Sequence, residues 1–353
     1  MRTLALALVI VIFCSGSAYS QGLPPQFGPL NIKPTAKEIE LGRMLFYDPR
    51  LSANGQISCS TCHNPQNGWG DGRELAVGIA DGLGVPQVGR RHTPHIINGS
   101  YSPLMFWDGR VVDEIAQALL PMSNPIEMGQ QTAQEISVRL NFIAGYNRAF
   151  VDAFNGVDVT TQRAVTPERM ARVLAAFQST VVSYDSPADR RFAGDKNALT
   201  PAEEVGFQIF VGNVPGRTGN RAQCLECHAP PFYTSRLVAN NGMEFAGKWV
   251  MNDRGRQEFS RLAVDLRKFK IPTLRELPRT APYNHAGNFA DIHRVVVHYS
   301  TGGKRYDGKI DPNIDRRIQP LDLTDSQMKY LELFLERPMM GRYYPNIEEP
   351  RLP

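Results

Sequence analysis

The chain has 353 residues, a length that predicts two domains of ordinary size. Apolar residues make up 42% of the sequence and charged residues 21%, which indicates a folded globular protein and excludes a disordered one. The 39 basic and 35 acidic side chains leave a net charge of only +4, spread along the chain, and this argues against a nucleic-acid-binding protein.

The first 20 residues have the composition of a secretory signal peptide. Arg2 is followed by an apolar run at 4–14, and residues 18–20 (Ala-Tyr-Ser) form a small-x-small cleavage site ahead of Gln21. No later stretch approaches the roughly 20 apolar residues that a membrane helix needs. We therefore predict a mature protein that is exported from the cytoplasm and has no membrane span.

Four cysteines remain outside the predicted signal, and they form two copies of the pattern Cys-x-x-Cys-His: Cys59, Cys62 and His63, then Cys224, Cys227 and His228. This is the attachment motif of haem c. Two thiols on one turn of chain reach the two vinyl groups of one porphyrin, and the adjacent imidazole then meets the iron. Redox disulfides or a zinc site would also use Cys-x-x-Cys, but neither requires the histidine. The sequence therefore predicts two covalently bound haems c.

The sequence before each haem motif is repeated as well. Thr35 and Thr200 each begin a capping box, Thr-x-x-Glu, followed by a helix that carries the pattern Gly-x-x-(Leu/Ile)-Phe. The first of these helices is predicted over 36–47. The repetition indicates an internal duplication of a small helical haem domain.

The rest of the chain completes an all-α prediction. Further helices are expected over 111–120, 134–142 and 167–182, and the stretch 183–199, rich in Asp, Pro and Gly, is the expected linker. We expect two cytochrome c-like domains that share a haem interface, an N-terminal one at 21–182 and a C-terminal one at 200–353.

One segment between the motifs indicates chemistry beyond electron transfer. It reads Phe-Trp-Asp-Gly-Arg at 106–110, followed by Gln117, Pro121 and Glu-Met-Gly at 127–129. Here the chain resembles the bacterial di-haem cytochrome c peroxidase family, and the resemblance continues, in order, through nearly the whole mature chain. It implies a periplasmic enzyme that reacts with hydrogen peroxide and exchanges electrons with a protein partner.

The resemblance gives three residues of this segment a role. Trp107 is similar to the tryptophan that lies between the two haems, and Gln117 and Glu127 to the distal residues of the N-terminal haem. The residue types suit those roles, because a carboxylate over an open haem face can move a proton between the oxygens of peroxide. A buried core tryptophan and a surface glutamate near a turn are the structural alternatives.

The ligand of the C-terminal haem distinguishes the branches of the family. Asp291 begins a predicted helix in which four residues recur on one inward face, namely Ile292, Val295, Val296 and Tyr299. In the electron-accepting peroxidases a methionine stands at this place, whereas the MauG-like branch has a tyrosine. Tyr299 is therefore similar to a phenolate ligand, although it could also be a core tyrosine. The competing ligands are His285, His293, His298, Met243 and Met251.

A loop after the first haem motif departs from many peroxidases of the family. Those enzymes block the peroxide site at rest with a histidine, and Ile79 occupies the similar position here. The resemblance then implies an N-terminal haem that is open without reductive activation. His92 or His95 could serve as the blocking residue instead.

Two further family features are altered in this sequence. The calcium site between the haems resembles one made by the backbone carbonyls of Thr280 and Pro282, but His92 replaces its asparagine, and imidazole is a poor calcium ligand. Calcium therefore stays an open expectation. No tryptophan precedes Cys224, so an exit for oxidising equivalents would have to use Trp69 or Trp249.

The sequence thus favours a MauG-like di-haem peroxidase that uses hydrogen peroxide to oxidise a protein partner through a high-valent di-haem state. The alternative is an ordinary cytochrome c peroxidase that takes electrons from a small cytochrome or cupredoxin. A non-enzymatic di-haem electron carrier is the third possibility.

Overall fold

The computed structural model describes residues 33–154, 163–216, 224–235, 237–242, 253–303 and 310–353. Its helices are α1 (Ala36–Tyr47), α2 (Cys59–Cys62), α3 (Glu114–Ala118), α4 (Leu120–Ser123), α5 (Ala133–Asn141), α6 (Ala144–Ala153), α7 (Pro167–Gln178), α8 (Pro187–Phe192), α9 (Pro201–Phe210), α10 (Cys224–Cys227), α11 (Gln257–Ser260), α12 (Ile292–Ser300) and α13 (Asp325–Leu335). Two small antiparallel sheets accompany them, β1 (Val77–Ala80) with β2 (Pro86–Val88) and β3 (Val238–Ala239) with β4 (Phe269–Lys270). The predicted all-α class is therefore correct. The predicted signal peptide lies outside the described residues.

Capping signals position the helices that precede the haem motifs. Thr35 accepts a hydrogen bond from the backbone of Glu38 at 3.2 Å, and the Glu38 carboxylate accepts one from the backbone of Thr35 at 2.7 Å. Thr200 and Glu203 form the same reciprocal pair at the start of α9. Both boxes satisfy backbone donors that a helix N-terminus otherwise leaves free.

Two predicted helices differ from the structure. The expected helix 111–120 begins later and is divided into α3 and α4, because Val111 forms a β-bridge with Met105 and Asp113 is the cap of α3. The expected helix 167–182 ends at Gln178. The hydroxyl groups of Ser179 and Thr180 donate to carbonyls of the last turn and compete with its continuation.

The duplication appears in the packing of the two cores. In the first core, which contains buried residues from Leu41 to Val181, α1 crosses α7 at Gly42; a Cβ there would lie 1.8 Å from the Val173 carbonyl oxygen. In the second core α9 crosses α13 at Gly206, where a Cβ would lie 2.0 Å from the Tyr330 carbonyl oxygen. Each crossing thus depends on a glycine at the same place in the repeat.

The expected linker is not a plain loop. Residues 183–199 contain α8, and Ala188 on that helix is buried in the second core. Asp189 forms an ion pair with Arg275 at 2.7 Å. The domain limits stay a prediction, but this segment packs with the C-terminal core.

The C-terminal segment, residues 341–353, returns to the first core. Tyr344 and Ile347 pack against that core, and the Tyr47 hydroxyl donates to the Ile347 carbonyl at 2.9 Å. Trp69 donates its indole N–H to the Pro345 carbonyl at 3.0 Å. Among the described residues, no helix is long and apolar enough to span a bilayer.

Candidate functional site

Each Cys-x-x-Cys-His motif folds as one helical turn that ends on its histidine. The backbone N–H of His63 donates to the Cys59 carbonyl at 2.9 Å, and that of His228 donates to the Cys224 carbonyl at 2.8 Å. The four thiols of the two motifs are half-buried and free. Within the described ranges, no group of three or more His, Cys, Asp or Glu side chains is arranged to hold a metal ion.

Both motif histidines present the same ring nitrogen to a backbone carbonyl. His63 Nδ1 lies 3.1 Å from the Trp69 carbonyl oxygen, and His228 Nδ1 lies 3.0 Å from that of Tyr233. Burial lowers the pKa of both imidazoles, that of His228 to about 4. A neutral ring that donates from Nδ1 leaves the Nε2 lone pair for a metal. This is the state that a haem ligand requires.

A cavity lies against the second motif, and we name it the C-terminal cavity. Its lining includes Cys224, Cys227 and His228 of the motif, the four α12 residues Ile292, Val295, Val296 and Tyr299, and the cationic side chains of Lys270 and Arg317. The predicted inward face of α12 is thus the face that lines this cavity. Apolar walls, two thiols, one imidazole and two cations fit a haem c with its carboxylates.

Tyr299 faces the thiols of the second motif across the C-terminal cavity. Its hydroxyl accepts a hydrogen bond from the Asn241 side-chain amide at 3.1 Å, and burial raises the pKa of Tyr299 to about 12. The backbone carbonyl of Asn241 accepts a hydrogen bond from His298 Nε2 at 2.8 Å. An amide that donates to a phenol oxygen stabilises its anionic form. Sequence reasoning missed Asn241, whose only signal is an Asn-Asn-Gly turn.

The histidines and methionines expected to compete with Tyr299 as ligands of the second haem differ in position. His298 is buried but does not line the C-terminal cavity, and His293 is largely exposed and paired with Glu332 at 2.7 Å. His285 does line the cavity. Met243 and Met251 lie outside the described residues, as does Trp249.

Trp107 is buried at the wall of the C-terminal cavity. Its indole N–H donates to the His92 carbonyl at 2.7 Å, and its own carbonyl accepts from the Lys270 backbone at 2.6 Å. The His285 ring lies edge-on, with centroids 6.4 Å apart. These contacts fix the indole from two sides. His92 lines the same cavity.

Glu127 is half-buried beside the first motif. Burial raises the pKa of its carboxyl above the usual range, against the opposing charge of Arg110. Asn124 donates its side-chain amide to Glu127 Oε1 at 2.6 Å. Burial is the main cause that raises the pKa of the Cys59 and Cys62 thiols, and the negative charge of Glu127 contributes to both shifts, so Glu127 lies close to that motif.

Ile79 lies directly against Glu127. Its backbone N–H donates to the Glu127 carbonyl at 2.9 Å, and its side chain is buried. The approach is so close that a Cβ on Gly78 would lie 2.0 Å from the Ile126 carbonyl oxygen. His92 and His95, the other candidates for a blocking residue, line the C-terminal cavity.

Gln117 lies half-buried at the end of α3. Among the described residues, no hydrogen bond joins its side chain to Glu127.

The residues expected at a calcium site lie together but are only partly suited to the ion. Thr280, Pro282 and His92 all line the C-terminal cavity. His92 Nδ1 lies 2.7 Å from the Arg73 carbonyl oxygen, so one ring nitrogen already has a partner. Calcium binding stays a prediction.

Comparison with known proteins identifies the family. The family model for di-haem cytochrome c peroxidases matches residues 36–197. A methylamine utilization protein MauG from Methylorubrum extorquens is 34% identical over 314 residues, which cover 88% of this chain and 80% of that protein. The chain belongs to the di-haem cytochrome c peroxidase family.

The relatives of this peroxidase carry two kinds of name. A cytochrome c551 peroxidase from Nitrosomonas europaea is 31% identical over 300 residues, covering 84% of this chain and 83% of that one. The crystal structure of a MauG-like protein associated with microbial copper homeostasis superposes with a TM-score of 0.79 at 27% identity, over 94% of this chain and 99% of that one. The protein is therefore a di-haem peroxidase, an oxidoreductase with two haems c, and the names do not distinguish the MauG-like branch from the ordinary peroxidases.

Proposed function

We propose that this di-haem peroxidase is MauG-like and uses hydrogen peroxide to oxidise a protein partner. The observation that carries the proposal is the position of Tyr299. It is the one residue of α12 that both lines the C-terminal cavity and has an oxygen donor, and Asn241 donates to that oxygen. An anionic oxygen ligand lowers the reduction potential of a haem, which favours oxidation of the site over storage of an electron.

In this proposal, different side chains serve the reaction with peroxide at the first haem motif and the transfer of electrons to the second. The haem iron held by His63 supplies the redox chemistry with peroxide. Glu127 takes a proton from the near oxygen of peroxide and returns it to the far one, with Asn124 holding Oε1 in place and Gln117 assisting in orienting peroxide. Burial raises the pKa of Glu127 above its usual value, which favours a carboxyl that can gain as well as lose a proton. Trp107 connects the two sites for electrons.

Three further assignments belong to the same proposal. The two cores support an N-terminal domain at 21–182 and a C-terminal one at 200–353, with 183–199 between them. The apolar run at 4–14 supports export, and we infer a periplasmic location. The carbonyls of Thr280 and Pro282 would supply the oxygen ligands if calcium binds.

One observation favours an ordinary cytochrome c peroxidase as the second candidate. The imidazole of His285 also lines the C-terminal cavity, and a neutral nitrogen ligand would make the second haem an electron acceptor. The partner would then be a small cytochrome or cupredoxin that donates electrons.

A comparison of two tyrosines in one cavity tests the proposal. Tyr283 lines the C-terminal cavity as Tyr299 does, but its hydroxyl donates to the Leu277 carbonyl at 3.0 Å. In the resting ferric holoprotein, Tyr299→His should change the electron paramagnetic resonance signal of the second haem and raise its reduction potential, whereas Tyr283→Phe should change neither. If Tyr299→His leaves both signal and potential as in the wild type, Tyr299 is not the ligand and the ordinary peroxidase is the better assignment.

A further inference from the structure

Two buried aromatic residues beside the haem motifs share an unusual backbone conformation. Trp69 has φ 61° and Tyr233 has φ 49°, and the side chains of both are fully buried. Bulky L-residues rarely adopt this left-handed region, because it is sterically strained for a side chain with a Cβ. Such a conformation is found where surrounding contacts stabilise it. The contacts of these two side chains therefore indicate why the conformation is kept.

The carbonyl groups of both residues serve the motif histidines. Trp69 accepts from His63 Nδ1 at 3.1 Å, and Tyr233 accepts from His228 Nδ1 at 3.0 Å. The acceptor lies six residues after the histidine in the first motif and five after it in the second. The unusual φ therefore recurs in both halves of the duplicated chain at the residue that fixes the ring of the metal ligand.

The two side chains are anchored to different parts of the molecule. Trp69 donates its indole N–H to the Pro345 carbonyl at 3.0 Å, in the C-terminal segment. Tyr233 donates its hydroxyl to Asp189 Oδ1 at 3.0 Å, on α8, and Asp189 is also paired with Arg275. The first anchor is a neutral carbonyl and the second is a carboxylate in an ion pair. Neither anchor lies in the turn that follows the haem motif and carries the aromatic residue.

We propose that Trp69 and Tyr233 are positioning residues that set the reduction potentials of the two haems separately, the first through the C-terminal segment and the second through α8. Without its anchor, the residue can relax toward negative φ, and its carbonyl then moves away from Nδ1. A histidine that loses this hydrogen bond is a less basic ligand. The ferric state is then less stabilised, and the potential of that haem rises. This proposal depends on the two haems and not on the identity of the ligand opposite His228.

Removal of each anchoring hydrogen-bond donor tests whether the two potentials are set separately. Trp69→Phe removes the indole N–H, and Tyr233→Phe removes only the hydroxyl. In holoprotein with both haems confirmed by intact mass, spectroelectrochemical titration should show that Trp69→Phe raises the potential of the His63 haem alone. Tyr233→Phe should raise that of the His228 haem alone. A tenfold change in the ratio of ferric to ferrous affinity, within the range for lost outer-shell partners, corresponds to about 59 mV for one electron.

The structure supplies a matched control and a second variant. Tyr47 also donates to the C-terminal segment, at the Ile347 carbonyl, without contacting the turn that holds His63, so Tyr47→Phe should leave both potentials unchanged. Asp189→Asn keeps the size of the second anchor and should shift the same haem as Tyr233→Phe. The proposal is overturned if neither anchor variant shifts a potential, if either shifts both haems together, or if Tyr47→Phe has the same effect as Trp69→Phe.

Discussion

At the scale of single residues, the carboxyl groups of Glu127 and Glu114 both have a pKa raised by burial, but we expect different roles for them. Asn124 donates its side-chain amide to Glu127, whereas the Ser100 hydroxyl donates to Glu114 Oε1 at 2.8 Å, and Glu114 Oε2 has no hydrogen-bond partner among the described residues. We propose the first for proton transfer. The second is an acid that folding has removed from water.

Replacement of Glu127 by glutamine should slow the reaction with peroxide while the fold is kept. The amide preserves the shape but cannot accept the proton, and positioned acid–base groups typically contribute about 10² to 10⁴ in rate. Stopped-flow measurement of peroxide consumption gives the rate. In the wild type, the rate should fall with decreasing pH through a pKa above 4.5, because only the carboxylate acts as the base. A glutamine variant within about threefold of the wild type would reject this role.

Glu114 should make folding stability depend on pH. Burial raises the pKa of its carboxyl from 4.5 to about 7, so between these values the folded chain holds a proton that the unfolded chain releases. The stabilisation is present below about pH 4.5 and is lost as the pH rises toward 7, by about 3 kcal/mol. Glu114→Gln should remove this dependence. Thermal unfolding of the wild type and of Glu114→Gln at pH 5 and pH 8 measures this dependence. The same change in stability between the two pH values in both proteins would contradict the assignment.

Residue chemistry could be predicted where side-chain type decides it, and not where the backbone does. The cysteines, His63 and His228 are a motif, and Tyr299 follows from helical periodicity and family resemblance. The roles of the Trp69 and Tyr233 carbonyls could not be predicted from the sequence. Every residue has a carbonyl group, and its direction depends on the backbone conformation. The role of Asn241 was not predicted for a similar reason: it lies on a loop that is distant from Tyr299 in sequence and contacts it only in the folded chain.

At the scale of helices, two glycines should control the two crossings of the duplicated core. A Cβ at Gly42 or Gly206 would lie within 2.0 Å of a carbonyl oxygen of the facing helix, so alanine must push the helices apart. Each change should destabilise the protein by at least about 1–3 kcal/mol, the usual range for overpacking. Gly82→Ala is the control, because nothing lies within 4 Å of its added Cβ. Chemical denaturation gives the free energies of unfolding, and equal stability of all three variants would contradict the crossing geometry.

Helix bounds could be predicted where a local capping box sets them. α1 was expected over 36–47 and has those bounds, since its start depends on such a box. The start of α3 depends on a β-bridge and the end of α7 on hydroxyl groups that compete for carbonyls, which a periodic pattern does not contain. Helix α13 was not predicted, although Thr324 and Gln327 form a capping box at its start that could have indicated it.

At the scale of the whole molecule, the C-terminal segment joins the two halves. It follows the second core in sequence and packs on the first, at Tyr344 and Ile347. No local sequence pattern indicates this return, because its contacts are made largely through backbone carbonyls. The two cores were expected from the duplication, but the tie between them is visible only in three dimensions.

The central claim of the proposed function is that the haems that His63 and His228 would hold would each supply one of the two electrons that hydrogen peroxide accepts, with Trp107 connecting the two sites. Freeze-quench electron paramagnetic resonance after one equivalent of hydrogen peroxide tests it most directly. We expect the ferric signals of both haems to decrease together in the wild type, and only that of the His63 haem to decrease at the same time point in Trp107→Phe. Loss of the first signal alone in the wild type, with the His228 signal unchanged, would contradict the account.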